Sequence, residues 1–174
     1  MDCKYSGWHV LYVKSRHEKK VLDALTRLSL EAFLPLVKTK KKWSDRIKIV
    51  QLPLIPSYIF VNLKSPQDFH KALSANGACA YIRFGSSYAK VPEREINKIK
   101  LLVGSEDVMN LEVDDRVPRV GEFRKIEFGS LSGLRCEVLK VNNINKIVVR
   151  IEQLKQNITA ILPSYYFEKE PVSA

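Results

Sequence analysis

The 174-residue chain has no uninterrupted apolar run approaching about 18 residues, so no membrane-spanning segment and no membrane partner are expected. Its opening, Met1-Asp2-Cys3-Lys4, lacks a basic patch followed by an apolar stretch, which predicts no secretory signal and a cytoplasmic protein. Cysteine is scarce: Cys3, Cys79 and Cys136 lie far apart, with no C-x-x-C spacing. That scatter fits a reducing compartment and argues against a disulfide framework or a zinc site. The histidines His9, His17 and His70 add no metal-ligand spacing, so no metal is expected. There is no glycine-rich phosphate loop, no carboxylate pair near a histidine, and no cysteine–histidine pair in a catalytic motif. Neither an enzyme nor a cofactor is implied.

What is present is apolar content and positive charge. Hydrophobic residues make up 45% of the chain, enough for at least one core. The length suits one ordinary domain, or a domain of about 100 residues with a module of about 50. The net charge of +10 is unevenly spread. Residues 1–103 carry 19 Lys and Arg against 8 Asp and Glu, a net +11. Residues 104–117 carry one Arg against five acids, a net −4, and residues 118–174 carry 9 against 6, a net +3. A basic domain attracts phosphate polymers or anionic membranes, but the same charge also serves as a solubilising surface.

Hydrophobic periodicity orders the first hundred residues. Trp8 to Lys14 is mostly apolar and predicts a buried central strand. A helix follows, with Ser15 as cap, Glu18 closing a capping box, and Val21, Leu25, Leu28 and Ala32 on one buried stripe. Phe33 to Val37 reads as an edge strand containing Pro35. Lys38–Lys42 and Arg46–Val50 flank Trp43-Ser44-Asp45 and predict a protruding β-hairpin. Tyr58–Val61 is another core strand, Ser65-Pro66 starts a second helix that Asn76-Gly77 ends, and Ala80–Phe84 is a strand closed by Gly85. Pro92 opens a third helix with Ile96, Ile99 and Val103 on one side and Gly104 at its end. This order implies an α+β fold, helices on a mainly antiparallel sheet, over residues 7–103. The acidic stretch 104–117 is expected to be a linker. Short runs at 123–128, 134–141, 146–152 and 157–163 predict a small all-β barrel over 118–169, with Gly121, Gly129 and Gly133 at tight turns. Alternation at Cys136/Val138, Ile147/Val149/Ile151 and Ile158/Ala160/Leu162 gives it one inward face.

Several of these segments, taken in order, resemble a known family. Trp8-His9-Val10-Leu11-Tyr12, Pro56-Ser57-Tyr58-Ile59-Phe60-Val61, Tyr81-Ile82-Arg83-Phe84-Gly85 and Val91-Pro92 are similar to the N-terminal (NGN) domain of NusG-family transcription factors. Val120-Gly121-Glu122-Phe123 through Leu131-Ser132-Gly133-Leu134 is similar to the family's KOW module, an SH3-like barrel. The resemblance covers roughly residues 7–168, and around Ile82–Gly85 and Val91-Pro92 it is closer to the specialised paralogues of the RfaH and UpxY kind. Housekeeping members usually have Pro-Gly-Tyr where this chain has Pro56-Ser57-Tyr58.

The resemblance implies an elongation and antitermination factor that suppresses pausing and termination on particular operons, such as those for surface polysaccharides. It implies an apolar pocket for the clamp helices of the largest RNA polymerase subunit, matched by Trp8, Tyr12, Ile55, Pro56, Tyr58, Ile82 and Phe84. Trp8 and Phe84 fit a plain core equally well, whereas Ile55, Pro56 and Tyr58 lie at a turn, where exposure is expected. It also implies contacts to the non-template DNA strand from Lys14, Arg16, His17, Lys20 and Arg27, with Arg16, Lys20 and Arg27 expected on one helix face. A solvated helix face is the alternative. Lys38, Lys40, Lys41, Lys42, Arg46 and Lys48 are either a DNA-facing arm or a charged loop. RfaH-like proteins carry a His-Thr-Thr-Thr run that touches the polymerase gate loop. Here Phe69-His70-Lys71-Ala72-Leu73 stands in that neighbourhood, so such a contact would fall to His70 or Lys71. The KOW module implies a further partner, a ribosomal protein or another factor. The competing function is a KOW-containing RNA-binding or ribosome-associated protein.

Overall fold

The strand that runs through the middle of the first sheet is apolar on both faces, as a strand flanked on both sides must be. The computed structural model describes residues 5–106, 108–114, 122–125, 131, 134–141, 144–151 and 156–161. By internal contacts the chain divides into two units, Met1–Ile96 and Asn97–Ala174.

In the first unit the elements are β1 (Gly7–Val13), α1 (Glu18–Arg27), β2 (Glu31–Phe33), β3 (Leu36–Lys42), β4 (Ile47–Pro53), β5 (Tyr58–Leu63), α2 (Pro66–Leu73), β6 (Ala78–Tyr81), β7 (Arg83–Phe84), β8 (Ser87–Tyr88) and β9 (Lys90–Val91). The main sheet runs β2-β5-β1-β6, with β9 also paired to β1, and its pairings are antiparallel. Leu11 lies opposite Ile59 and Tyr81, so these three share the face that α1 and α2 cover with Val21, Leu25, Phe69 and Ala72. Burying Val21 and Leu25 completely contributes about 1.5–3 kcal/mol each, which makes α1 an integral wall of the core. The opposite face carries Trp8, Val10 and Tyr12 across from Asn62, Phe60 and Tyr58.

Tyr81 closes one end of the helix-side core. Its ring stacks on Phe69 at 4.2 Å, and its hydroxyl donates to the Phe69 carbonyl at 3.1 Å. Burial, reinforced by Asp68 and Tyr88, pushes the Tyr81 phenol well above its ordinary value and keeps it a donor.

Three local expectations differ from the structure. First, α1 is capped by His17, not Ser15, with no side-chain capping bond. Lys14 to His17 forms a turn in which Arg16 takes a φ of 63°, so Ser15 lies within the turn, short of the cap position, and Glu18 is free to point elsewhere. Secondly, α1 stops before Leu28. Ser29 adopts a φ of 58°, while the amides of Leu30 and Ser29 donate to the Leu25 and Thr26 carbonyls, a Schellman ending built on serine. Ala32 therefore belongs to β2. Thirdly, the expected strand from Phe33 to Val37 is two strands, broken at Leu34-Pro35, because proline has no amide for a ladder. The predicted run Ala80–Phe84 is likewise divided between β6 and β7.

The second helix forms as its signals require. Ser65 Oγ accepts from the Asp68 amide at 3.2 Å, and Pro66 occupies the first turn. After it, Gly77 takes a φ of 100°, and a Cβ there would lie 2.9 Å from Val21 Cγ2. Its carbonyl accepts from the Lys14 amide at 2.9 Å, so the backbone cannot back away without breaking that bond. Gly77→Ala is expected to cost about 1–3 kcal/mol. The check is a lower urea midpoint with an unchanged slope.

The third helix, α3 (Glu93–Gly104), contains the division between the units, and Ile96, Ile99 and Leu102 are its fully buried residues. Beyond it come β10 (Met109–Asp114), β11 (Glu122–Lys125), β12 (Arg135–Val141), β13 (Ile144–Ile151) and β14 (Gln156–Ile161), in an antiparallel sheet ordered β10-β14-β13-β12-β11. Much of the acidic stretch expected to be a linker is thus strand: Glu112, Val113 and Asp114 pair with Thr159, Ile158 and Asn157. Backbone pairing is indifferent to side-chain charge, so an acidic run can still be strand. Ile147 lies opposite Ala160 and Val149 opposite Ile158, and all four are buried. Val148 and Thr159, on the other face, are buried as well. Cys136 is buried, which pushes its thiol up to about 11. Gly121, Gly129, Gly133, Cys3, Leu162 and residues 115–117 lie outside the described residues.

Candidate functional site

Tyr12 near the end of β1 and Tyr58 at the start of β5 face each other directly in the ladder, so their side chains leave the sheet on the same side. Their rings meet edge to face at 6.1 Å, and Tyr12 is 43% exposed. Ile82 joins that face from the other side of β1, its amide donating to the Val10 carbonyl at 2.9 Å, and is half-buried. Two residues on, Phe84 is 48% exposed on the separate ribbon β7–β8. That ribbon is stiffened by Arg83, whose guanidinium sits 5.0 Å over the Tyr88 ring and donates to the Ser86 carbonyl at 3.2 Å.

The turn Ile55-Pro56-Ser57-Tyr58 places Tyr58. Proline suits the second position, and the third requires a positive φ, which Ser57 supplies at 65°. Ser57 is held at both ends: its amide donates to Glu18 Oε1 at 2.9 Å, and its carbonyl accepts from the Val13 amide at 2.9 Å.

The seven residues matched to the polymerase pocket are therefore not all surface. Tyr12, Pro56 and Phe84 are exposed, and Tyr58 and Ile82 are half-buried. Trp8 is buried, and Ile55 is only 2% exposed, contrary to the expectation that its place at a turn would expose it. The reason is local: Ile55 and Leu54 turn inward, where the Leu54 amide donates to the Pro35 carbonyl, while Pro56 takes the outside of the bend. A shallow pocket of about 420 Å³ lies on α3, lined by Asn97, Lys100, Leu101, Gly104 and Ser105, and includes none of the seven.

Of the residues matched to the DNA contact, Lys14, Arg16, Lys20 and Arg27 are exposed and His17 is half-buried. Arg16 does not belong to α1, so its direction is set by the left-handed turn and not by helical spacing. Lys20 and Arg27, seven residues apart on α1, do share a face. Lys19 is also exposed on the same helix, one position away from Lys20 and so outside the face that Lys20 and Arg27 share. The His17 Nδ1–H donates to the Ser15 carbonyl at 3.1 Å. His70 and Lys71 are exposed in the last turn of α2.

The predicted hairpin forms as β3–β4, a two-stranded sheet with no ladder to the main sheet. Lys40 and Lys42 lie opposite Ile49 and Ile47, and Lys41 opposite Lys48. Trp43, at the tip, is 56% exposed, and its amide donates to the Arg46 carbonyl at 2.8 Å.

The NusG family profile, described as "Transcription termination factor nusG", matches residues 6–100, more than half of the chain. A structure described as "Domain interaction in Thermotoga maritima NusG" is similar to this fold at a TM-score of 0.54, with 17% identity over 90% of this chain and 92% of that one. A structure described as "Crystal Structure of MjSpt4:Spt5 complex conformation A" aligns at 11% identity over 89% of this chain and 93% of that one, but a TM-score of 0.32 is too low to argue from. A comparison with curated protein sequences finds no match. The chain belongs to the NusG family of transcription factors. Among the described residues, no helix is long and apolar enough to cross a membrane.

Proposed function

We propose that this chain is a specialised NusG paralogue, of the RfaH or UpxY kind, that docks on the clamp helices of the largest RNA polymerase subunit and steadies the non-template DNA strand. The observation that carries the reading is the Tyr12–Tyr58 pair, two aromatic rings held edge to face on an accessible sheet face beside an exposed Pro56. Aromatic groups that are rigid before binding lose little entropy on docking against an apolar helix. Ile82 extends the surface and Phe84 supplies a second exposed aromatic, whereas Trp8 and Ile55 are buried. Lys14, Arg16, Lys20 and Arg27 would neutralise phosphates, and His17 would offer a ring to an unpaired base. The β3–β4 arm would add sequence-independent affinity for DNA through its lysines.

No chemistry is required. A factor that binds the elongating state more tightly than the paused one shifts the population toward elongation, and thereby opposes termination on its target operons. The second unit, as a KOW barrel, would recruit a ribosomal protein or another factor at raised local concentration. A cytoplasmic location follows from these partners.

The test is a pull-down with purified RNA polymerase using the full chain, Tyr12→Ala and Phe84→Ala. Loss of capture in both variants supports the reading. Capture of ribosomal RNA alone, insensitive to either change, favours a ribosome-associated role instead. For the DNA contact, the Arg16→Ala/Lys20→Ala/Arg27→Ala variant is expected to bind single-stranded DNA with a salt slope smaller by about 2, at about 0.7 per lost phosphate contact. Its antipausing activity should fall while polymerase capture persists; unchanged pausing would remove the DNA role.

A further inference from the structure

We infer that Glu18 is a positioning residue for the polymerase-facing edge, its carboxylate holding the Ile55–Tyr58 turn in the conformation that presents Pro56 and Tyr58. The inference rests on the docking proposed above. It begins with a turn that is poorly held by its own bonds. The Tyr58 amide reaches the Ile55 carbonyl at 3.4 Å, well beyond the usual N–H···O distance. Its third residue, Ser57, sits at a φ of 65°, a region that a residue with a Cβ enters at a cost. Two outside bonds hold Ser57 there, one from the Val13 amide and one to Glu18.

Glu18 is unusual for a glutamate in the first turn of a helix. It is only 5% exposed, and it spends an oxygen on an amide 39 residues away. It stands at the start of α1, where the free amides of the helix N-terminus carry partial positive charge. A charged acceptor also makes the stronger kind of hydrogen bond. The same carboxylate thus ties the element that bears Lys20 and Arg27 to the turn that bears Tyr58, so the cationic and aromatic surfaces keep a fixed relation. The serine explains why a latch is needed: glycine would enter the positive-φ region without strain.

The experiment compares Glu18→Ala, Glu18→Asp, Glu18→Gln and Glu18→Ala/Ser57→Gly in the full chain, each shown to be folded by circular dichroism at the assay temperature. Affinity for purified RNA polymerase is measured alongside amide hydrogen exchange at Ser57 in the free protein. Glu18→Ala is expected to weaken binding about tenfold, or about 1.4 kcal/mol, and to speed exchange at Ser57. Glu18→Asp, which keeps the charge but withdraws the oxygen, should move in the same direction and serves if the alanine variant does not fold. Glu18→Gln retains an acceptor and should bind within about threefold of the parent. Adding Ser57→Gly to Glu18→Ala should recover the affinity, because the turn then needs no latch. Parental affinity in Glu18→Ala and Glu18→Asp, or a loss that Ser57→Gly leaves unrepaired, overturns the inference. Tyr58→Ala separates the two claims. If it loses binding and Glu18→Ala does not, only the positioning role falls; if neither loses binding, the docking proposal falls with it.

Discussion

Phe60→Ala is expected to lower the stability of the first unit by about 3–5 kcal/mol, a large share of what an ordinary domain possesses. Phe60 is completely buried in β5, between β1 and β2, and its ring stacks on Phe33 at 6.1 Å. It lies directly opposite Val10, which is also fully buried, so the space left by the ring has no neighbour free to fill it. The loss should appear in urea unfolding as a lower midpoint with an unchanged slope. Because Tyr58 is two residues along the same strand and face, a destabilised β5 should also weaken polymerase capture as the assay is warmed. A loss below about 1 kcal/mol would mean that the strands shift to close the cavity, against the tight packing described.

The second large effect concerns binding. Tyr58→Ala is expected to weaken binding to purified RNA polymerase by about thirtyfold or more, the range of an aromatic hot spot near 2 kcal/mol. The ring contributes its own contact area and also fixes Tyr12, so Tyr12→Ala should be costly too. The double variant should lose less than the two single losses together, because each ring orients the other. Tyr58 is half-buried and Tyr12 exposed, so unfolding midpoints should move far less than affinity. Binding that survives both changes would place the docking surface elsewhere, with Phe84 on its ribbon the next to vary.

Much of the first unit was legible because it is written in periodicity and caps. The apolar run at β1, the Ser65-Pro66 start of α2 and the alternating hairpin around Trp43 each state a local rule that the structure obeys. Failures occurred where a residue did something its type does not advertise. Arg16, Ser29 and Ser57 all take positive φ, a region glycine enters most readily, so the ends of α1 and the strain in the Pro56 turn are not legible in the residue types. The acidic stretch masks β10 because charge is conspicuous in the sequence while backbone pairing decides the strand.

The site divides along the same line. Its residue types could be picked out one at a time, since aromatics at a strand end and cations beside a helix are visible in any order of reading. Which of them reach solvent could not. Ile55 and Pro56 are adjacent, yet one is sealed and the other exposed, and only the path of the folded backbone separates them. Glu18 and Ser57 are 39 residues apart, and no pattern along the chain predicts that a carboxylate in one meets an amide in the other. The sequence by itself determined the helices, most strands and the basic character of the first unit, because these depend on neighbours a few residues away. Tertiary structure alone decided exposure, the Tyr12–Tyr58 pairing and the Glu18 latch, because each depends on groups brought together only when the chain closes on itself.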